Sequence, residues 1–266
     1  WSSDVCSSDL LDITVPVDIR DRERRSLACI FAHPDDETFS SAATLTHYSR
    51  DGVDCSLFCA TDGDAGRSSG LPVASRADLG RLRRAELHEA AAILGVRSIQ
   101  SAGLPDGELP QADAESLLGD IVHFLRVHRP QVVVTFGPEG GPNAHRDHRV
   151  ISRLATAAFY LAGSPSEWPE QLDRGALTIH SARRLYYVSW EAPAPGDGVP
   201  HAVPLSARID ARPWHETKRK AFAAHRTQLS LRESFEKLAM GDTEDFALAT
   251  GEPQRRSVIH DLFEGL

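Results

Sequence analysis

Two short stretches hold most of the side chains in this 266-residue chain that could do chemistry. The first, FAHPDDETFS at residues 31–40, follows the apolar run Leu27 to Phe31 and sets His33, Asp35 and Asp36 within four positions, with Pro34 stiffening the bend. An apolar run that breaks into His and carboxylates is a buried strand opening into a site. The second, HRDHR from His145 to Arg149, adds two histidines and Asp147 after another apolar strand, Val132 to Phe136. A catalytic zinc takes three protein ligands and keeps one position open for water, and His with Asp is a normal ligand set. His33, Asp36 and His148 satisfy it. Such an ion lowers the pKa of a bound water from about 15.7 to about 7, a differential stabilisation of roughly 12 kcal/mol. Asp35, next to Asp36, is placed to accept the water's proton and deliver it to a leaving amine, a role worth about 10²–10⁴ in rate. His145 can donate to a developing oxyanion, with Asp147 holding its ring and favouring its charged form. These are the parts of a hydrolase.

The elements that must position them alternate. A strand over 26–32 precedes a helix over 37–50, and a strand over 53–60 ends in the polar loop TDGDAGR at Thr61 to Arg67. A long helix over 76–94 stops at Gly95, followed by a short strand over 99–104 and the turn Pro105-Asp106-Gly107. A helix over 113–128, a strand over 131–136 and a helix over 145–162 complete the series. Repeated strand and helix segments predict an α/β fold with right-handed crossovers and a mainly parallel sheet covered on both faces. Both chemical clusters fall at carboxyl ends of strands, where an open sheet of this kind forms its ligand crevice. A smaller C-terminal β/α extension follows: strands over 185–190 and 203–209, expected to pair across the loop 191–200, then one helix over 213–229 opened by Pro213.

Composition narrows the function classes. A hydrophobic content of 41% and charged content of 25%, with no apolar run long enough to span a membrane, belong to a soluble protein. The formal net charge of -9 argues against nucleic acid as a partner. Cys55 and Cys59 fall on one face of a strand, roughly 13 Å apart and beyond disulfide reach. With Cys29 expected as a core thiol and no visible signal peptide, a cytoplasmic location is the default. A homo-oligomer is neither required nor excluded. Residues 1–10, WSSDVCSSDL, resemble a translated sequencing-library adaptor and are set aside as a non-native peptide, leaving 11–266 as one domain. Without Asp4 and Asp9 the balance is 36 acidic against 29 basic residues, a net charge of -7. Source DNA that encodes the decapeptide at this locus would make it native.

AHPDDE at Ala32 to Glu37 and the later His145-Arg146-Asp147-His148 resemble the two signature motifs of the PIG-L or LmbE-like N-acetylglucosaminyl deacetylases. The likeness continues through Thr61-Asp62-Gly63, RRAELHEAAAILGV from Arg83 to Val96, Leu104 to Gly107 and, more loosely, AHRTQ from Ala224 to Gln228. It implies a Rossmann-like three-layer αβα fold and a zinc-dependent hydrolase that removes an acetyl group from an N-acetylglucosamine-type amino sugar. It implies zinc at His33, Asp36 and His148, with Fe²⁺ or another divalent ion as substitutes. Asp35 is then the general base, and His145 the oxyanion or acid partner supported by Asp147. The family core covers about 26–160, and the part from about 161 to 266 is expected to shape substrate choice.

The plainer readings are ordinary. Glu37 reads as a helix-start charge and is left out of the catalytic set. Arg83, Asp106 and His225 are candidate substrate-binding residues against, respectively, a solvated helix charge, a Pro-Asp-Gly turn and packing at a helix end. Asp62 and Asp64 resemble the opening of a calcium loop, but Val73 stands where its bidentate Glu belongs. Hydrolysis of a larger amide conjugate on the same site is the nearest alternative. A non-haem iron oxygenase built on His33, Asp35 and a second His leaves Asp36, His145 and Asp147 without a role, and an inactive carbohydrate-binding protein leaves Asp35 without one.

Overall fold

A computed structural model describes residues 25–175, 177–190 and 203–266. The adaptor-like decapeptide and the loop expected at 191–200 lie outside them. In chain order the elements are β1 (Ser26–Phe31), α1 (Asp36–Arg50), β2 (Asp54–Thr61), α2 (Arg76–Leu94), β3 (Ser98–Leu104), α3 (Ala114–His128), β4 (Val132–Phe136), α4 (Arg146–Leu161) and α5 (Pro169–Gly175). They continue with β5 (Arg184–Ser189), β6 (Ala207–Asp210), α6 (His215–Ala224), α7 (Arg232–Leu238) and β7 (Thr243–Gly251).

β1 and β4 are buried along their whole length. That is why SLACIF and VVVTF are almost unbroken apolar runs: a parallel strand is covered on both faces and has no solvent side for polar residues. The seven strands form one sheet in the order β3-β2-β1-β4-β5-β7-β6, with the first five parallel. α1, α2 and α6 pack together, as do α3 and α4, giving the three-layer α/β arrangement. Strand order reverses between β1 and β4, so the chain leaves both strands into one crevice. Caps fix the long helices. Ser75 accepts the Asp78 N–H at the start of α2, and Gly95 closes it with φ 78°.

The C-terminal extension departs from the expected arrangement twice. β5 and β6 do not pair. β7 lies between them, antiparallel to both, with Phe246 opposite Val188 on one side and Ala207 on the other. Glu244 and Asp245 hid this strand by breaking its apolar alternation. Nor is 213–229 one helix: α6 stops at Ala224, His225 takes φ -78° and ψ 64°, and a 3₁₀ segment spans Arg226–Leu231. The break lets the Thr227 N–H and hydroxyl reach the buried Glu86 carboxylate, at 3.1 and 2.6 Å.

Glu244 explains the extension's grip on the core. α1 is kinked at Ser41 (φ -151°), and the N–H groups of Ala43 and Thr44 after the kink donate to the two Glu244 oxygens at 2.9 and 2.8 Å. The Lys218 ammonium of α6, fully buried, pairs with the same carboxylate. Breaking a buried pair by removing one partner leaves the other charge uncompensated. Lys218→Met is therefore expected to destabilise the fold by about 3 kcal/mol in urea unfolding; a loss below about 1 kcal/mol would show that Glu244 is satisfied by the helix alone.

Candidate functional site

The crevice at the ends of β1 and β4 is a cavity of about 410 Å³. His33, Asp35, Asp36, Arg83, Asp106, His145 and His148 form its polar side, while Phe39, Phe136, Trp190, Leu231 and Leu238 form an apolar one. All three of His33, Asp36 and His148 are buried. His33 Nδ1 lies 3.1 Å from His148 Nε2, and Asp36 reaches them through Oδ2 at 3.4 Å and Oδ1 at 3.2 Å. The Asp36 carboxylate is aimed by the N–H groups of His33 and Ala32, which donate to Oδ2 at 2.8 and 3.2 Å.

The outer face of each imidazole decides what its inner face offers. His33 Nε2 sees only acceptors, Asp106 Oδ1 at 3.0 Å and Asp147 Oδ2 at 3.2 Å, so that nitrogen carries hydrogen. His148 Nδ1 sees the Gly140 carbonyl at 3.1 Å and carries hydrogen too. Its ring is stacked on Phe136 at 4.0 Å. In the neutral rings the inner nitrogens are then bare lone pairs, facing each other beside a carboxylate. Three electron-pair donors converging in a buried place call for positive charge, and a divalent cation satisfies all three together. Carboxylates behind a ligating histidine are what a metal site uses to fix the ring. A proton on His33 is the other way to supply that charge. Burial opposes charge on His33, yet Asp106, Asp147 and Asp36 raise it well above the ordinary histidine range. Burial opposes ionisation of Asp36, and His148 and His33 pull its carboxyl far below the usual range.

Among the described residues, ligand-capable atoms also cluster in two further combinations around His33, one with His145 and His148 and one with Asp106 and Asp147. His145 is the less suitable ligand, because its Nδ1 accepts the Asp147 backbone N–H at 3.2 Å. The neutral ring then presents Nε2–H, a donor. Burial first, then repulsion from His33 and His148, lowers its pKa and favours that neutral form.

Several expected partnerships differ. The Asp147 carboxylate does not hold His145; Oδ2 binds His33 and accepts the Gly107 N–H at 2.7 Å. Asp147 begins α4 facing the β1 end, so its reach is toward the neighbouring strand. Asp106 lines the cavity but also holds His33. It is Asp36, and not Asp35, whose oxygens approach both imidazoles, so the triad of an iron oxygenase through Asp35 is not formed. Asp35 Oδ2 faces the Arg83 guanidinium at 3.2 Å. Burial raises its carboxyl, the Arg83 charge opposes this, and Asp36 adds to it, leaving Asp35 at about 6. Arg83 is not a solvated helix charge. It is buried and donates to the carbonyls of Gly63, at 2.7 Å, and Pro34. A Cβ at Gly63 or Gly66 would stand 2.3 Å from its Nη1, so the glycines of TDGDAGR make room for the guanidinium.

His225 is fully buried and does not line the cavity; its Nε2 meets Glu37 Oε1 at 2.7 Å. Glu37, read as a helix-start charge, does lie in the first turn of α1 but is fully buried as well. Sequence offered one signal, since the first turn of a helix whose preceding strand ends inside a cleft has no route to solvent. Periodicity could not supply the partner 188 residues away.

Comparison with known proteins agrees with the geometry. The PIG-L family model, described as GlcNAc-PI de-N-acetylase, matches residues 28–159. The chain is 32% identical to the 1D-myo-inositol 2-acetamido-2-deoxy-alpha-D-glucopyranoside deacetylase of Rhodococcus jostii (strain RHA1), over 91% of this chain and 98% of that protein. It is 26% identical to the mycothiol S-conjugate amidase of Streptomyces coelicolor, over 90% of this chain and 97% of that one. Among solved structures, N,N'-diacetylchitobiose deacetylase from Pyrococcus horikoshii shares the fold with a TM-score of 0.69 at 24% identity, over 85% of this chain and 84% of that one.

If Asp147 fixes the His33 ring, Asp147→Asn should weaken zinc binding about 10–100-fold in a chelator competition. Unchanged affinity would assign the ring's orientation to Asp106 alone.

Proposed function

The chain belongs to the PIG-L family, and on that premise we propose that it is a zinc-dependent amide hydrolase that removes the acetyl group from an N-acetylglucosamine-type amino sugar. The convergence of His33 Nδ1, Asp36 and His148 Nε2 beside the Asp35 carboxylate in one cavity carries this reading. The donor set fits zinc, with nitrogen and oxygen ligands and second carboxylates behind His33. A divalent ion held there supplies Lewis acidity, both toward water and toward the amide carbonyl.

The chain's own residues do the rest. Asp35, at about 6, is ionised at neutral pH yet basic enough to take a proton from the attacking water and hand it to the departing nitrogen. Arg83 holds that carboxylate at 3.2 Å. His145 offers its Nε2–H to the carbonyl oxygen as negative charge develops on it. Asp106, on the cavity wall beside Arg83, is placed to meet a sugar hydroxyl with the oxygen that His33 leaves free.

A larger amide conjugate is the second reading. The apolar wall of Phe39, Trp190, Leu231 and Leu238 favours it, because a free amino sugar has little to place there. Both readings are small-molecule chemistry. No described helix is long and apolar enough to cross a membrane. The free buried thiols Cys29, Cys55 and Cys59 suit a reducing compartment, and we place the reaction in the cytoplasm.

The test is product release by the zinc-loaded protein, with N-acetylglucosamine derivatives set against larger amides. Removing the metal is expected to abolish turnover and re-addition to restore it. Asp35→Asn should cost about 10²–10⁴ in rate while zinc stays bound. Metal-independent turnover, or none on either substrate class, would overturn the proposal.

A further inference from the structure

Asp35 sits in a backbone conformation that a non-glycine residue rarely adopts, φ 114° and ψ -22°. Something must hold it there. Its N–H donates to Glu37 Oε2 at 3.0 Å, and the other Glu37 oxygen accepts from the Thr38 hydroxyl and from His225 Nε2 at 2.7 Å. Glu37, Thr38 and His225 are all at 0% exposure, so no solvent molecule stands ready to replace a lost partner. His225 in turn is fixed by the helix break: its N–H donates to the Phe222 carbonyl, and its own carbonyl accepts the Gln228 N–H at 2.8 Å. The second ring nitrogen, Nδ1, has no hydrogen-bond partner among the described residues, so the ring's hydrogen bond there is the one to Glu37.

We propose that Glu37 and His225 are positioning residues which together clamp the Asp35 backbone in its left-handed conformation and so aim the general base into the cavity. The inference rests on the proposed function, in which Asp35 is the base. Lys218 and Glu244 join α6 to α1 as well, but that tie ends on Ala43 and Thr44, beyond the kink and away from Asp35. What Glu37 alone does is hold the Asp35 N–H. Arg83 acts from the opposite side on the Pro34 carbonyl and the Asp35 carboxylate, so the residue is gripped at both its backbone and its side chain.

A double-mutant cycle separates positioning from packing. His225→Leu is expected to lower kcat about 10–100-fold, the scale of a small misplacement of a reacting group, with KM and zinc stoichiometry changed less than about 2-fold. In an Asp35→Ala background, with no base left to aim, the same substitution should change the residual rate by less than about 2-fold. His225→Gln, which can still donate to Glu37, should restore most of kcat. If His225→Leu does not fold, Glu37→Leu, which removes the acceptor for the Asp35 N–H, enters the same cycle under the same criteria. An equal fold-loss in both backgrounds, or a His225→Leu or Glu37→Leu enzyme with wild-type kcat, would overturn this inference and leave the proposed function standing. A wild-type protein without zinc-dependent amide hydrolysis, or an Asp35→Ala variant with undiminished turnover, would overturn both.

Discussion

Two imidazole nitrogens and a carboxylate meet within 3.4 Å of one another at the ends of β1 and β4, and this convergence of buried ionisable groups is the constraint around which the structure is built. It would be unfavourable in any fold that could relax it. Here relaxation is blocked from behind. Asp106 and Asp147 hold the His33 ring, the Gly140 carbonyl and the Phe136 face hold His148, and two backbone N–H groups hold Asp36. The arrangement has the donor set of a possible metal site, held in place before any ligand arrives.

Sheet topology makes that convergence cheap in chain length. With strand order reversing between β1 and β4, the segments that follow them run apart to cover opposite faces, and the ligands need only sit at the first bend of each. Asp36 opens α1 and His148 lies in the first turn of α4. The remaining parts come from the next strands outward: Arg83 through the glycine loop after β2, and Asp106 through the turn after β3. The segments after four parallel strands, β1 to β4, therefore account for every polar wall residue assigned a chemical role.

That is also why so much of the site was legible. β1 and β4 are buried on both faces, so their sequences are apolar runs, and the residues that break each run are the ones exposed to the cavity. What could not be read were polar contacts across long separations. Glu37 follows two residues that face the cavity and looks like one more helix-start acid; its burial depends on His225, brought back by a helix break that no proline or glycine marks. β7 was hidden for a related reason. Its Glu244 is a buried charge tied to Lys218 and to the kink in α1, and a strand that carries such a group inward loses the alternation by which strands are recognised. Asp147 was seen as functional but given the wrong ring, since adjacency in sequence favoured His145 and the fold placed His33 nearer.

The division of labour between the two parts of the chain follows from the same geometry. Every group assigned to binding the ion or moving a proton lies between residues 33 and 148, within the matched family region. The C-terminal part contributes apolar wall, Trp190, Leu231 and Leu238, and two buried ties into α1, Lys218 with Glu244 and His225 with Glu37. The wall can change size and shape without disturbing the ligands, because none of its side chains touches them through a hydrogen bond. The ties cannot, because each ends on a backbone group of the helix that begins at the site. Under the proposed function the extension thus serves the site in two ways through different residues, Trp190, Leu231 and Leu238 as wall and His225 as the tie behind Asp35.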